Sequence, residues 1–201
     1  MEKAQRTLFH YSCGLVIAHK EKYRLMKLLK LMLVVLFVLI AGVMLFHQKV
    51  IALLVLPPYI DWATQTEAQG LVSGVALEAK QLLIAKEIGI KQPEKIRLVY
   101  VEQVPFPHDN ALLKTVGEAL GFIGDGIVNN AQVFGYSIYV RTGYELTTPR
   151  LAHELVHVLQ IERSSLEAVV TQHFSDLATY GYNDSPLEVE AYKANQHYKD
   201  R

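Results

Sequence analysis

The chain has 201 residues, with 20 Lys plus Arg balancing 20 Asp plus Glu and a single cysteine. That length suits one domain of ordinary size with appendages and leaves no room for a second full domain. Zero net charge excludes the global basic field that marks nucleic-acid binding, so no nucleic-acid partner is expected.

The balance is uneven along the chain. Lys3, Arg6, Lys20, Lys22, Arg24, Lys27 and Lys30 face only Glu2 and Glu21 before position 31, so the remainder is net acidic. Directly after this basic end comes the uncharged run "LMLVVLFVLIAGVMLF", Leu31 to Phe46. With Leu28 and Leu29 in front, it approaches the about 20 residues that a helix needs to cross a bilayer core. A soluble helix of that length would carry a polar stripe, and this one has none. A signal peptide has the same basic-then-apolar order, but the apolar run is long and no A-x-A site ends it, which favours an uncleaved anchor.

A second apolar run, "VIALLVLPP", follows His47, Gln48 and Lys49. It extends a tilted helix or lies along the interface, with Pro57 and Pro58 stopping it. The expected organisation is a basic cytoplasmic tail (1–27), a transmembrane anchor with its juxtamembrane segment in the lipid bilayer (28–56), and a folded domain (57–201). The positive-inside tendency places that domain on the extracytoplasmic side, the periplasm in a Gram-negative bacterium. The one cysteine, Cys13, lies in the tail, so the domain uses no disulfide and rests on its core and a metal.

Within the domain, Leu71, Val75, Leu82, Ala85 and Ile88 recur near helical spacing. They predict one helix from Thr64 to a stop at Gly89 and Pro93. "KIRLVYVEQV" reads as a largely buried strand, "NALLKTVGEALGF" as a short helix, and "GIVNNAQVFGYSIYVRTG" as two strands around a turn, the second from Tyr136 to Arg141. Three helices follow. The first opens at "TTPRL", the second with a capping pattern from Ser164 to Glu167, and the third with Ser185 as cap and Pro186 in its first turn. On the second, Leu166, Val169, Val170, Phe174 and Leu177 form the buried stripe. Strands followed by helices suggest an α+β fold.

The first of those helices carries "LAHELVHVLQ", in which His153 and His157 lie about 40° apart on the helical wheel. Leu151, Leu155, Val158 and Leu159 cluster on the opposite side, so the histidines stand outside the packing stripe. Two imidazoles one turn apart can bind one Zn²⁺, with Glu154 beside them as general base for a bound water. The alternative, a solvated face bearing two histidines, needs three fixed residues to coincide. A third protein ligand is still required. Gln160 and Arg163 stand where the extended H-E-x-x-H-x-x-G-x-x-H pattern needs glycine and histidine, which leaves His173, Asp176, Asp184, Glu188, Glu190 and His197.

"HELVH" at 153 to 157, together with "EVEA" at 188 to 191, resembles the gluzincin zinc metallopeptidases, in particular small minimal gluzincins. The resemblance covers roughly Gly135 to Ala194. It implies a zincin-like domain: a small sheet followed by the active-site helix and two further helices, here behind a transmembrane helix. It also implies Glu188 as third ligand. Many members follow E-x-x-A with aspartate or asparagine, where this chain has Tyr192. Ser185 and Glu188 also have the spacing of a capping box, which would occupy the same carboxylate differently.

The expected function is hydrolysis of peptide bonds in a peptide or protein substrate by a zinc-activated water, with Glu154 taking its proton. Tyr180 or Tyr182 is a candidate donor to the developing oxyanion, and His173 and Asp176 are candidates to orient the ligands from behind. The strand from Tyr136 to Arg141 is expected at the sheet edge, where an extended peptide could add. Two rival readings remain: a membrane-tethered zinc-binding or interaction module without turnover, and a membrane interaction protein with no metal.

Overall fold

The computed structural model describes residues 22–42, 49 and 51–199. The basic tail up to position 21, with Cys13, and most of the polar break around His47 lie outside the described residues. The chain divides into two units, 1–49 and 50–201.

In the first unit a helix, α1, spans Lys22–Gly42, 21 residues, long and apolar enough to cross a membrane. At about 1.5 Å per residue it covers the hydrocarbon thickness of a bilayer. Its apolar side chains from Leu28 to Ile40 are all exposed. A helix apolar all round does not stand in water, so this surface requires lipid or another apolar cover.

The second unit begins with a π-helical turn, Ile51–Val55, that runs directly into α2, Leu56–Ser73. Pro57 and Pro58 therefore begin a helix instead of stopping one. Proline lacks only an N–H that the first turn leaves unpaired in any case. The long helix expected from Thr64 to Ile88 is two: α2 ends at Ser73, and α3 covers Ala79–Ile88. Gly74 makes the break. It is extended, and a Cβ there would come within 2.7 Å of Arg97 Cβ, so the chain can press against the sheet only as glycine. The two residues after it, Val75–Ala76, form β1.

β2 is Arg97–Val101, α4 is Ala111–Ala119, β3 is Ala131–Phe134 and β4 is Ser137–Arg141. The sheet order is β1-β2-β4-β3, with β2 and β4 parallel and both outer strands antiparallel to their neighbours. β4 is thus central, and the expected edge strand from Tyr136 to Arg141 is an inner one. The hairpin places β3 outside it, so β3 is one of the two edge strands, with β1 the other. Phe134 pairs with Ser137 across a two-residue turn. Gly135 holds that turn at φ +58°, with the Glu67 carboxylate in the space a Cβ would need and accepting from Tyr136 N–H at 2.9 Å.

Burial on both faces explains why β4 reads as continuously apolar. Leu98, Ile138 and Val140 point to a core shared with Leu151, Leu155 and Val158. Val99 and Tyr139 point to a second core with Tyr59, Ala63, Leu113 and Phe174.

Three helices complete the unit: α5, Thr148–Arg163; α6, Leu166–Tyr180; and α7, Pro186–His197. The cap of α6 is Ser165, which accepts from Ala168 N–H at 3.0 Å, and not Ser164, whose hydroxyl donates to Gln160 carbonyl. The expected stripe on α6 is shallow: Phe174 is buried, while Leu166, Val169, Val170 and Leu177 are partly so. The result is an α+β fold with a small mixed four-stranded sheet and seven α-helices among the described residues.

Candidate metal centre

α5 packs its leucine stripe into the first core and turns His153, Glu154 and His157 toward a cavity on its other side. α7 delivers Glu188 to the same place, from its first turn. Ser185 caps α7 by accepting from Glu188 N–H at 3.5 Å, so the backbone half of a capping box is present. The side-chain half is not, because Ser185 N–H bonds to the Tyr182 carbonyl at 3.3 Å. The carboxylate is thereby free to face the histidines.

His153 Nε2 and His157 Nε2 stand 3.2 Å apart. Glu188 Oε2 lies 3.4 Å from the first, and Glu188 Oε1 lies 3.5 Å from the second. One donor atom from each residue falls within 4.8 Å of the other two, and the group could hold a metal ion. Glu188 is 3% exposed, and its Oε2 makes no hydrogen bond. A buried carboxylate oxygen without a donor is costly unless a cation meets it. That orphaned atom, aimed at two imidazole nitrogens, is what a metal would satisfy.

The surroundings favour that charge arrangement. Burial alone would raise the Glu188 pKa, but His153, His157 and His173 outweigh it and hold the group below the usual carboxylate value. Glu154 is pushed the other way, to about 7, chiefly by burial and further by Glu188, with His157 opposing. Two carboxyl groups lining one cavity are thus driven in opposite directions, the pattern that separates a ligand from a proton carrier.

The other residues singled out from sequence divide. Tyr182 lines the cavity with half of its surface exposed, and desolvation, followed by the charges of Glu188 and Glu154, drives its pKa upward, so it stays a neutral donor. Tyr180 is exposed at the end of α6 and does not line the cavity. His173 lines it, stacked on Phe122 with ring centroids 5.9 Å apart, and burial holds it below the usual histidine value. Asp176 is buried with Oδ2 making no hydrogen bond, so it orients neither ligand histidine by one.

Three features went unread in the sequence. Gln160 Oε1 lies 2.9 Å from His157 Nδ1, and its amide nitrogen donates to Leu187 carbonyl and to Glu190. Its i, i+3 spacing from His157 was the available signal. Tyr192, one turn after Glu188, sets its ring 5.0 Å from that of His153. Third, much of the cavity lining is aromatic, formed by Tyr59, Phe106, Phe122, Phe134 and Phe174 from five separate parts of the chain. No periodicity within one element could signal that convergence.

No family model matches this chain, and neither does any curated protein or solved structure.

Proposed function

We propose that the chain is a membrane-anchored zinc metallopeptidase of gluzincin type, with a zincin-like domain. The observation that carries this reading is the convergence of His153, His157 and Glu188 on one point, with Glu154 on the wall of the same cavity. The two imidazole nitrogens stand 3.2 Å apart, and each has a different Glu188 oxygen within 3.5 Å, an arrangement compact enough for zinc. Tetrahedral bonds of about 2.0–2.1 Å put ligand atoms about 3.3–3.4 Å apart. Two imidazoles and one carboxylate are a donor set that zinc favours and calcium or magnesium does not.

Zinc held by these residues supplies Lewis acidity, polarising a carbonyl and bringing the pKa of a water toward neutrality. Glu154 then takes a proton from the attacking water and returns it to the departing amine, a task suited to a carboxyl near neutral pKa. Tyr182 faces the same space as a neutral donor for the developing oxyanion. β3, an edge strand lining the cavity, offers main-chain pairing to an extended peptide. The aromatic wall beside it accepts a large apolar side chain next to the bond cut. Peptides with Phe or Leu at that position should be cleaved about 10-fold or more faster than those with Asp.

For topology, α1 serves as the single span, with the basic tail cytoplasmic and the enzyme domain on the far side. A reporter fused after Arg201 that is active only in the cytoplasm would contradict this. The second reading, a tethered zinc-binding module without turnover, is favoured by one observation: His153 Nδ1 is buried without a hydrogen-bond partner, and the Tyr192 ring packs beside that histidine. The test is cleavage of an unstructured protein by the full chain in detergent. Zinc-dependent cleavage that is abolished in Glu154→Gln supports the peptidase, while bound zinc with no cleavage supports the module.

A further inference from the structure

We propose that Gln160 is a positioning residue that fixes the tautomer of His157 and so decides which ring nitrogen is offered to the metal. The proposal rests on the metal reading above only for its consequence, since the hydrogen-bond argument stands without an ion. Gln160 is 5% exposed, and every polar atom of its side chain is committed. Its amide nitrogen donates to Leu187 carbonyl at 3.0 Å and to Glu190 Oε2 at 2.9 Å. A carbonyl and a carboxylate can only accept, so these two contacts consume both amide hydrogens.

Flipping the amide would set its oxygen against two acceptors, which fixes the orientation. Gln160 Oε1 therefore faces His157 Nδ1, at 2.9 Å, as an acceptor. Nδ1 must carry the proton, and in the neutral ring Nε2 therefore presents its lone pair toward His153 and Glu188. This is the less common tautomer of an unconstrained histidine.

Support for Gln160 continues outward and weakens. Glu190 is held by Arg163 at 2.6 Å, and both side chains are about half exposed, so solvent screens that contact. Glu190, considered from sequence as a competing ligand, is instead the anchor of the amide that orients a ligand. His153 has no counterpart: its Nδ1 makes no hydrogen bond, and Tyr192 holds its ring only by contact. The centre is asymmetric, with one histidine locked through polar bonds and one through packing.

The test uses the full chain in detergent micelles with ¹⁵N-labelled histidine. The His157 signal is identified as the one lost in His157→Asn, and zinc affinity is read by chelator competition. The parent should show Nδ1–H at His157 both before and after Zn²⁺ is added. Gln160→Leu should shift the metal-free ring toward Nε2–H and weaken zinc about 10- to 100-fold. Gln160→Glu, which keeps an acceptor beside Nδ1, should retain the Nδ1–H signature. Arg163→Ala should change affinity less than about 3-fold.

An Nε2–H tautomer in the metal-free parent overturns the proposal without any variant having to fold. So does a folded Gln160→Leu with unchanged tautomer and affinity. A parent that shows Nδ1–H but binds no zinc upholds the positioning role and removes the metallopeptidase reading instead.

Discussion

At the C-terminal end of α5, Glu162 accepts from Lys91 N–H at 2.8 Å, Gln92 N–H at 3.0 Å and the Tyr136 hydroxyl at 2.8 Å. Two turns earlier, on the cavity side of the helix, Glu188 from α7 meets His153 and His157 with one oxygen that no donor reaches. Both carboxylates are held below the usual pKa, for different reasons. Burial opposes ionisation in each, but Glu162 is rescued by hydrogen bonds from backbone and tyrosine, and Glu188 by imidazoles. A carboxylate supplied with donors is finished and ties the α3–β2 connection to α5. One that keeps a buried oxygen without a hydrogen bond leaves a place for a cation. Charge and burial alone would not tell the two apart; counting donors does.

Substitutions sharpen that contrast. The largest effect is expected at the cavity end: Glu154→Gln should lower peptidase turnover about 10²- to 10⁴-fold while zinc content and thermal stability stay at parent level. Loss of zinc together with turnover would make Glu154 a ligand, and the division between ligand and proton carrier would fail. Glu162→Gln should do the converse. It should destabilise the fold by about 1–2 kcal/mol, measured by denaturant titration, and leave zinc affinity unchanged.

The pH dependence of that loss follows from the direction of the shift. Glu162 has a folded pKa below that of a free glutamate, so its contribution is complete above the free value and vanishes as pH falls through the folded pKa. The stability gap between parent and Glu162→Gln should therefore be constant from neutral pH to about 5 and close below 4. A gap that widens on acidification would mean that the carboxylate is not what those donors recognise.

The smallest effect separates two adjacent serines. Ser165→Ala should cost about 1 kcal/mol through the lost α6 cap, against a few tenths for Ser164→Ala, whose hydroxyl only donates back to a helix carbonyl.

The α5 and α7 elements were readable because their periodicity and their caps agree. The apolar stripe from Leu151 to Leu159 separates cleanly from the two histidines, and Ser185–Pro186 marks the start of α7. The α+β class followed from the order of elements. What misled was local: Gly74 reads as a tolerable glycine inside a helical repeat, and only the approach of β2 makes it a break. The prolines at 57 and 58 stop a helix or start one with equal local logic, and the π turn before them decides. The strand nearest α5 in sequence is not an edge, because the tight hairpin at Gly135 sends β3 outside β4.

At the site, the first two candidate ligands, His153 and His157, were legible from one motif. Glu188 was suggested only by resemblance, since its capping spacing with Ser185 argued the other way; its N–H meets Ser185, and its carboxylate faces the two histidines. Gln160 was seen only as a departure from a longer motif. Its partners, Leu187 carbonyl and Glu190, lie 27 and 30 residues away, and their convergence is a property of how α5 and α7 pack.

The central claim is that His153, His157 and Glu188 together hold zinc, and the most direct measurement is the metal content of the purified full chain by elemental analysis. His157→Ala and Glu188→Ala should be measured beside the parent, with Glu190→Ala as the comparison. The account predicts about one zinc per parent chain, its loss in the first two variants, and its retention with weakened affinity in the third. A folded parent that takes up no zinc when metal is supplied, or a Glu188→Ala chain that binds it as the parent does, would contradict it.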